Sequence, residues 1–171
     1  MSTHPVRRAF LSVAAGCLIS FAPAPFTAKA SAQAAPEAAL VKAADDAGLQ
    51  WGPCPDFLPA GCGIAVLHGD PSKPNSDILF KVPGRSEIAL HTHTSAERMV
   101  LVAGELLVTY EGQAPAKLTP GTYAYGPAGR PHSGRCVSDV PCVLVIAFEG
   151  PLDAVPAAAG GGQPVSLSPK T

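Results

Sequence analysis

From Ile64 to Phe148 the sequence is a series of short apolar runs, each stopped by glycine, proline or another turn former. The chain carries 17 Gly and 19 Pro, and many of them fall between these runs. Such punctuation favours short strands joined by tight turns. Strands are expected at 64–68, 78–82, 88–92, 98–103, 106–110, 122–125, 132–137 and 143–148. Gly104-Glu105 and the stretch 137–141 read as hairpin turns, and Pro127-Ala128-Gly129 as the turn before 132–137. The fold class expected is all-β, a jelly roll or related barrel spanning residues 49–150.

The flanks read differently. The chain has 171 residues and a formal net charge of −1, room for one domain and no basic excess for nucleic acid. Arg7 and Arg8 precede the apolar stretch AFLSVAAGCLISFA, which is too short to span a bilayer. Small residues at Ala28-Lys29-Ala30 and Ala32-Gln33-Ala34 offer cleavage sites, so 1–34 reads as a secretory signal peptide. The protein is then expected in the periplasm or outside the cell, with no stable membrane insertion after processing. An uncleaved anchor is the rival reading, and lipidation of Cys17 a second, although Leu18-Ile19-Ser20-Phe21 continues the apolar run past that cysteine. Residues 35–48 read as a short helix or linker, with Pro36 at a first-turn position and Gly48 as the stop. Trp51 is expected to anchor the turn-rich segment that follows. Residues 151–171, rich in Gly, Pro and Ala without apolar period, are expected to be a disordered tail.

Five cysteines are present, and setting Cys17 aside leaves Cys54, Cys62, Cys136 and Cys142. An even number in an exported chain implies disulfides, with three connectivities open. Closeness in sequence favours Cys54 with Cys62 and Cys136 with Cys142. A zinc site of four thiolates lacks the CxxC spacing it would need.

The chemistry is concentrated in HTHTSAERMVLVAG. On a strand His91 and His93 point the same way, with Ala89, while Ile88, Leu90 and Thr92 face the other side. Glu97 follows the short step Thr94-Ser95-Ala96, and a second stretch delivers His132 after a Pro/Gly turn. Three imidazoles and one carboxylate make a ligand set for a divalent metal. His68 has no partner motif and reads as an ordinary strand histidine. Tyr123 and Tyr125 share a face, either at the barrel mouth or in its packing. Arg98 and Glu105 read as solvated, with Arg98 able to pair with Glu97.

These residues resemble the cupin superfamily. Its first motif is matched by His91-Thr92-His93, three residues, Glu97, six residues and Gly104; Gly84 sits one residue too early for the motif's leading glycine. Its second motif is matched by Gly121, Pro127, Gly129 and His132, with Cys136 where the family has asparagine. The resemblance implies a double-stranded β-helix, or jelly-roll barrel, with His91, His93, Glu97 and His132 as metal ligands. It further suggests that a disulfide to Cys142 has taken over the asparagine's position. A homodimer through barrel edges is a family expectation.

A six-coordinate metal on four protein donors keeps two positions open, which suits oxygen-dependent chemistry. Iron or manganese fits best; zinc, nickel and copper are alternatives. The function expected is an exported small-molecule metalloenzyme of the oxygenase type, substrate unnamed. The alternative is a non-catalytic metal-dependent binding or sensing module. A sugar or acid isomerase would want an additional base, and none is evident.

Overall fold

The computed structural model describes residues 37–158. Among the described residues eleven strands form: β1 (Trp51–Pro53), β2 (Gly63–His68), β3 (Ser76–Val82), β4 (Glu87–Thr92), β5 (Glu97–Ala103), β6 (Leu106–Tyr110), β7 (Ala116–Leu118), β8 (Tyr123–Gly126), β9 (His132–Cys136), β10 (Cys142–Phe148) and β11 (Val155–Pro156). They make a six-stranded sheet, β1-β2-β3-β10-β5-β8, and a five-stranded sheet, β11-β4-β9-β6-β7. Every pairing is antiparallel. The eight strands expected from sequence all form; β1, β7 and β11 are additional.

The core lies between the sheets because alternate residues of each strand point inward. Cys142, Leu144, Ile146 and Phe148 do so along β10, and Leu106, Val108 and Tyr110 along β6. On β5 the same parity selects Met99, Leu101 and Glu97, so one carboxylate enters an otherwise apolar layer. A smaller cluster of Leu49, Ala65 and Leu79 with Trp51, Val143 and Val145 packs on the six-stranded sheet's other face. Trp51 anchors its segment there, with Lys81 Nζ 4.0 Å from the ring centre.

Two turns differ from expectation. The strands flanking Gly104-Glu105 do not pair: β5 lies in the six-stranded sheet and β6 in the other. The same holds across 137–141, which joins β9 to β10. Both are corners between sheets, not hairpins. The Cys136–Cys142 disulfide, Cα atoms 5.7 Å apart, therefore links the two sheets. Cys54–Cys62 closes the loop between β1 and β2. Gly84, the glycine out of step with the motif, packs against the β9–β10 corner. A Cβ there would lie 2.1 Å from the Asp139 carbonyl oxygen, so only glycine fits.

The helix expected from Pro36 does not form over 37–47, where the chain has only turns. Its alanine-rich face offers too little burial to hold a short helix. Pro36 itself, the expected signal segment 1–34 and residues 159–171 lie outside the described residues. The start of the expected disordered tail is ordered. β11 pairs with β4, Val155 opposite Thr92 and Pro156 opposite His91, and the Ala157 amide donates to the Leu90 carbonyl at 3.0 Å. No helix among the described residues is long and apolar enough to cross a membrane.

Candidate metal centre

A β-bulge in β4 aims the first histidine. Ile88 pairs with Gly134 and His91 with His132, so Ala89 and Leu90 of β4 oppose the single residue Ser133 of β9. The extra residue shifts the strand's parity. Ile88 and His91 thus both face the interior, which corrects the alternation expected from sequence. The bulge also sets the Ala89 carbonyl 2.7 Å from His91 Nδ1. His93 follows immediately after β4. Glu97 opens β5 in the opposite sheet, and His132 opens β9 directly across from His91.

The structure brings the three expected histidines together and sets Glu97 against two of them, His93 and His132. One ring nitrogen from each of His91, His93 and His132 lies within 4.8 Å of the other two. The rings are close-packed, with centroids 4.2 Å apart for His91–His132 and 4.9 Å for His91–His93. Glu97 Oε1 lies 3.2 Å from His132 Nε2, and Oε2 lies 3.5 Å from His93 Nε2. All four side chains are buried, Glu97 most completely at 2% exposure.

Which nitrogen can ligate follows from what the other one does. His91 Nδ1 faces the Ala89 carbonyl, His132 Nδ1 the Arg130 carbonyl at 3.1 Å, and His93 Nδ1 the Asp153 carbonyl. A carbonyl only accepts, so each Nδ1 carries the proton and each Nε2 presents a lone pair. Burial holds all three imidazoles below their ordinary pKa, His132 down to about 3 with His91 and His93 adding to the effect. The Nε2 contacts with Glu97 are therefore not ion pairs. With Glu97 ionised they set acceptor against acceptor, and Glu97 Oε1 is buried without a hydrogen-bond partner. Burial pushes the Glu97 carboxyl up to about 8, so by itself it holds a proton. A divalent cation would satisfy all these lone pairs at once and reverse the cost of ionising Glu97. The three histidines are thus positioned to bind a metal ion.

Several supporting residues escaped the sequence reading. Gly126 on β8 pairs with Glu97, and a Cβ there would lie 2.7 Å from Glu97 Oε1. Any side chain at 126 displaces the carboxylate; as a lone glycine before a turn it gave no separate signal. Asp153, in the expected tail, gives its backbone carbonyl to His93 and accepts the Thr94 amide on its Oδ1 at 2.9 Å. Aromatic rings brace the imidazoles: Phe148 lies edge-on to His93, and Tyr110 beside His132, both at 5.2 Å.

The other candidates lie elsewhere. Arg98 pairs with Glu149, not with Glu97. Glu105 pairs with Lys117 at 2.8 Å. Tyr123 and Tyr125 are exposed on β8 and line neither the cavity nor the core. His68 sits on β2 beside Asp77, away from the cluster.

The ligand cluster opens into a cavity of about 240 Å³ between the sheets. Both sheets line it, the six-stranded sheet with Ile78, Phe80, Leu144 and Ile146 among others and the five-stranded sheet with Ile88, Leu106 and Val108. The disulfide-closed loop adds Pro55 and Leu58, and the C-terminal segment adds Leu152, Asp153 and Ala154.

The cupin domain family matches residues 79–148, which include every strand that carries a ligand. No curated protein sequence matches the chain. Among solved structures, the DMSP lyase DddQ from Ruegeria pomeroyi DSS-3 is similar at 24% identity and TM-score 0.56, over 67% of this chain and 64% of that one. A structure of the DMSP lyases RdDddP and RnDddQII is similar at 21% identity and TM-score 0.56, over 64% and 63%. An RmlC-like cupin from Shewanella frigidimarina NCIMB 400 is similar at 18% identity and TM-score 0.51, over 61% and 86%. The chain spans under two thirds of the length of the two lyase structures. At these identities the likeness is one of fold. The family match, the two facing sheets and the ligand cluster agree: residues 79–148 carry a cupin domain.

Proposed function

We propose that this protein is an exported, mononuclear metal-dependent enzyme of the oxygenase type acting on a small organic molecule. The observation that carries the reading is the convergence of three histidine ring nitrogens, with the Glu97 carboxylate against two of them, in the wall of a largely apolar cavity. His91, His93, His132 and Glu97 would hold the metal. Iron or manganese suits this mixed nitrogen and oxygen set, and zinc, nickel or copper would also be accepted. Such a metal would supply Lewis acidity and, for iron or manganese, redox chemistry toward a small substrate. Export is supported by the signal-like sequence 1–34 and by the two disulfides.

The chain's own residues have definable parts. The three carbonyl-anchored imidazoles stay neutral and fixed in direction, so they donate without reorganising. Glu97 is the one buried group at the centre able to take up or release a proton at a carboxylate oxygen. The aliphatic wall keeps bulk water from the reacting end.

A second reading is a binding or sensing module. It draws on one observation: among the described residues, Ser133 and Asp153 are the only polar residues that line the cavity beyond the four ligand residues. The test is metal analysis of protein purified from its native compartment, followed by oxygen-uptake assays with small phenols and thiols. DMSP is included as a lyase substrate because of the structural neighbours. Bound metal with substrate-dependent oxygen consumption supports the oxygenase. Bound metal with tight ligand binding and no turnover favours the module, and product without oxygen consumption favours a lyase. Protein that carries no metal and takes up none overturns all three.

A further inference from the structure

The cavity wall carries information about the substrate that the ligand set does not. Its volume of about 240 Å³ is below that of pockets for drug-sized molecules, which start at roughly 300 Å³. It exceeds the roughly 150 Å³ at which an apolar cavity admits benzene. Apart from the ligand cluster, Ser133 and Asp153, the wall is apolar. Among the described residues no Lys, Arg, Asn or Gln lines it. The one charged side chain on the wall outside the cluster is the Asp153 carboxylate, which is already engaged with the Thr94 amide. A substrate group with charge or several hydroxyls would leave water here and find no partner.

We infer that the substrate has one metal-binding head and an uncharged, apolar body about the size of a benzene ring with a short substituent. This rests on the proposed metal site and adds the body's chemistry to it. The two parts share one space, lined by the ligand cluster and by the apolar side chains of both sheets. The head meets His91, His93, His132 and Glu97. The body lies against Ile78, Phe80, Leu144 and Ile146 of the six-stranded sheet. Sugars, sugar acids and molecules with a second carboxylate are disfavoured, since their far end would meet hydrocarbon or the Asp153 anion.

A homologous series of hydroxamates tests this, because the head stays constant while the body changes. Acetyl-, butyryl-, hexanoyl- and decanoylhydroxamate are titrated calorimetrically into the full exported protein loaded with manganese(II). Succinyl monohydroxamate and gluconohydroxamate serve as polar-tailed partners. Metal content is measured before and after each titration. Affinity should rise about fourfold per added methylene while the cavity fills, then stop rising before decanoyl. Both polar-tailed probes should bind at least about tenfold more weakly than butyrylhydroxamate. Ile146→Phe should move the preferred chain shorter, and Ile146→Ala should move it longer. Affinity that is flat along the series, polar-tailed probes that bind as tightly as butyrylhydroxamate, or variants that leave the preferred length unmoved would overturn the inference while sparing the metal site. Failure of the protein to retain manganese, or of acetylhydroxamate to bind the loaded protein, overturns the metal site instead, and this inference with it.

Discussion

Two of the three imidazoles are oriented by the backbone two residues before them, and the third by a segment sixty residues away. His91 and His132 each turn Nδ1 to the carbonyl two residues earlier, Ala89 and Arg130. Once β4 and β9 pair, those acceptors are in place. His93 lies past the end of β4 and has no such carbonyl; its acceptor is Asp153, just before β11. One half of the site is thus built into a strand pair. The other half is completed by a short C-terminal strap held by two residues of pairing and a few hydrogen bonds. The strap is the part whose loss the fold tolerates best, since local opening concentrates in segments with few buried contacts.

The largest effect expected is from removing a donor. His93→Ala should lower metal affinity by more than about 100-fold, beyond what loss of an outer partner costs. Metal content after dialysis checks it, and unchanged content would remove His93 from the site.

Proton competition comes next and separates the metal-free from the metal-loaded protein. Without metal, Glu97 sits at about 8, above its ordinary 4.5. The folded state then binds the extra proton, and stability from this group falls as pH rises from about 4.5 to about 8. The histidines act in the opposite sense. Their depressed pKa values favour the neutral form in the fold, and stability is lost as pH falls below about 6.5. Metal-free protein should therefore melt highest near pH 6.5 and decline on both sides. Bound metal holds Glu97 ionised and should abolish the decline on the alkaline side, while metal itself dissociates below about pH 6. Thermal melts across pH, with and without metal, decide this. An alkaline decline that persists in loaded protein would place Glu97 outside the coordination set.

How much of this was legible in the sequence follows the same division. His91, His93, Glu97 and His132 stood out because strand periodicity and a single turn fix their relation over short stretches. The two local disulfides were readable from proximity. The bulge was not: Ala89 and Leu90 carry no bulge signal, and one extra residue moved Ile88 to the inner face. Gly104-Glu105 read as a hairpin because a turn between strands looks alike whether the chain returns in its own sheet or crosses to the other. The strap was read as disordered since composition reports the absence of an apolar period. It does not report that Val155 would meet Thr92. What stayed hidden depends on contacts between residues far apart in the chain.

Truncation after Gly150 tests the strap directly. It removes the Asp153 carbonyl, the tie to Thr94 and β11, while leaving all four ligand residues in place. Metal affinity should drop about 10- to 100-fold, the range for losing an outer hydrogen bond to a ligand. Circular dichroism should still report the sheets, because β11 adds only two paired residues at the edge of its sheet. A drop as large as that of His93→Ala would mean the strap holds more than His93.

The smallest effect separates the strap's side chain from its backbone. Asp153→Ala keeps the carbonyl that faces His93 and removes the carboxylate that accepts the Thr94 amide at 2.9 Å. That hydrogen bond is exposed, so it contributes about 1 kcal/mol or less to holding the strap in register. Metal affinity should fall less than about fivefold, well short of the truncation. Asp153→Asn, which retains an oxygen acceptor without the charge, should recover most of the loss. If Asp153→Ala instead matches the truncation, the carboxylate alone seats the strap and the β11 pairing contributes nothing. If neither Asp153→Ala nor the truncation alters metal affinity, the Asp153 carbonyl does not orient His93.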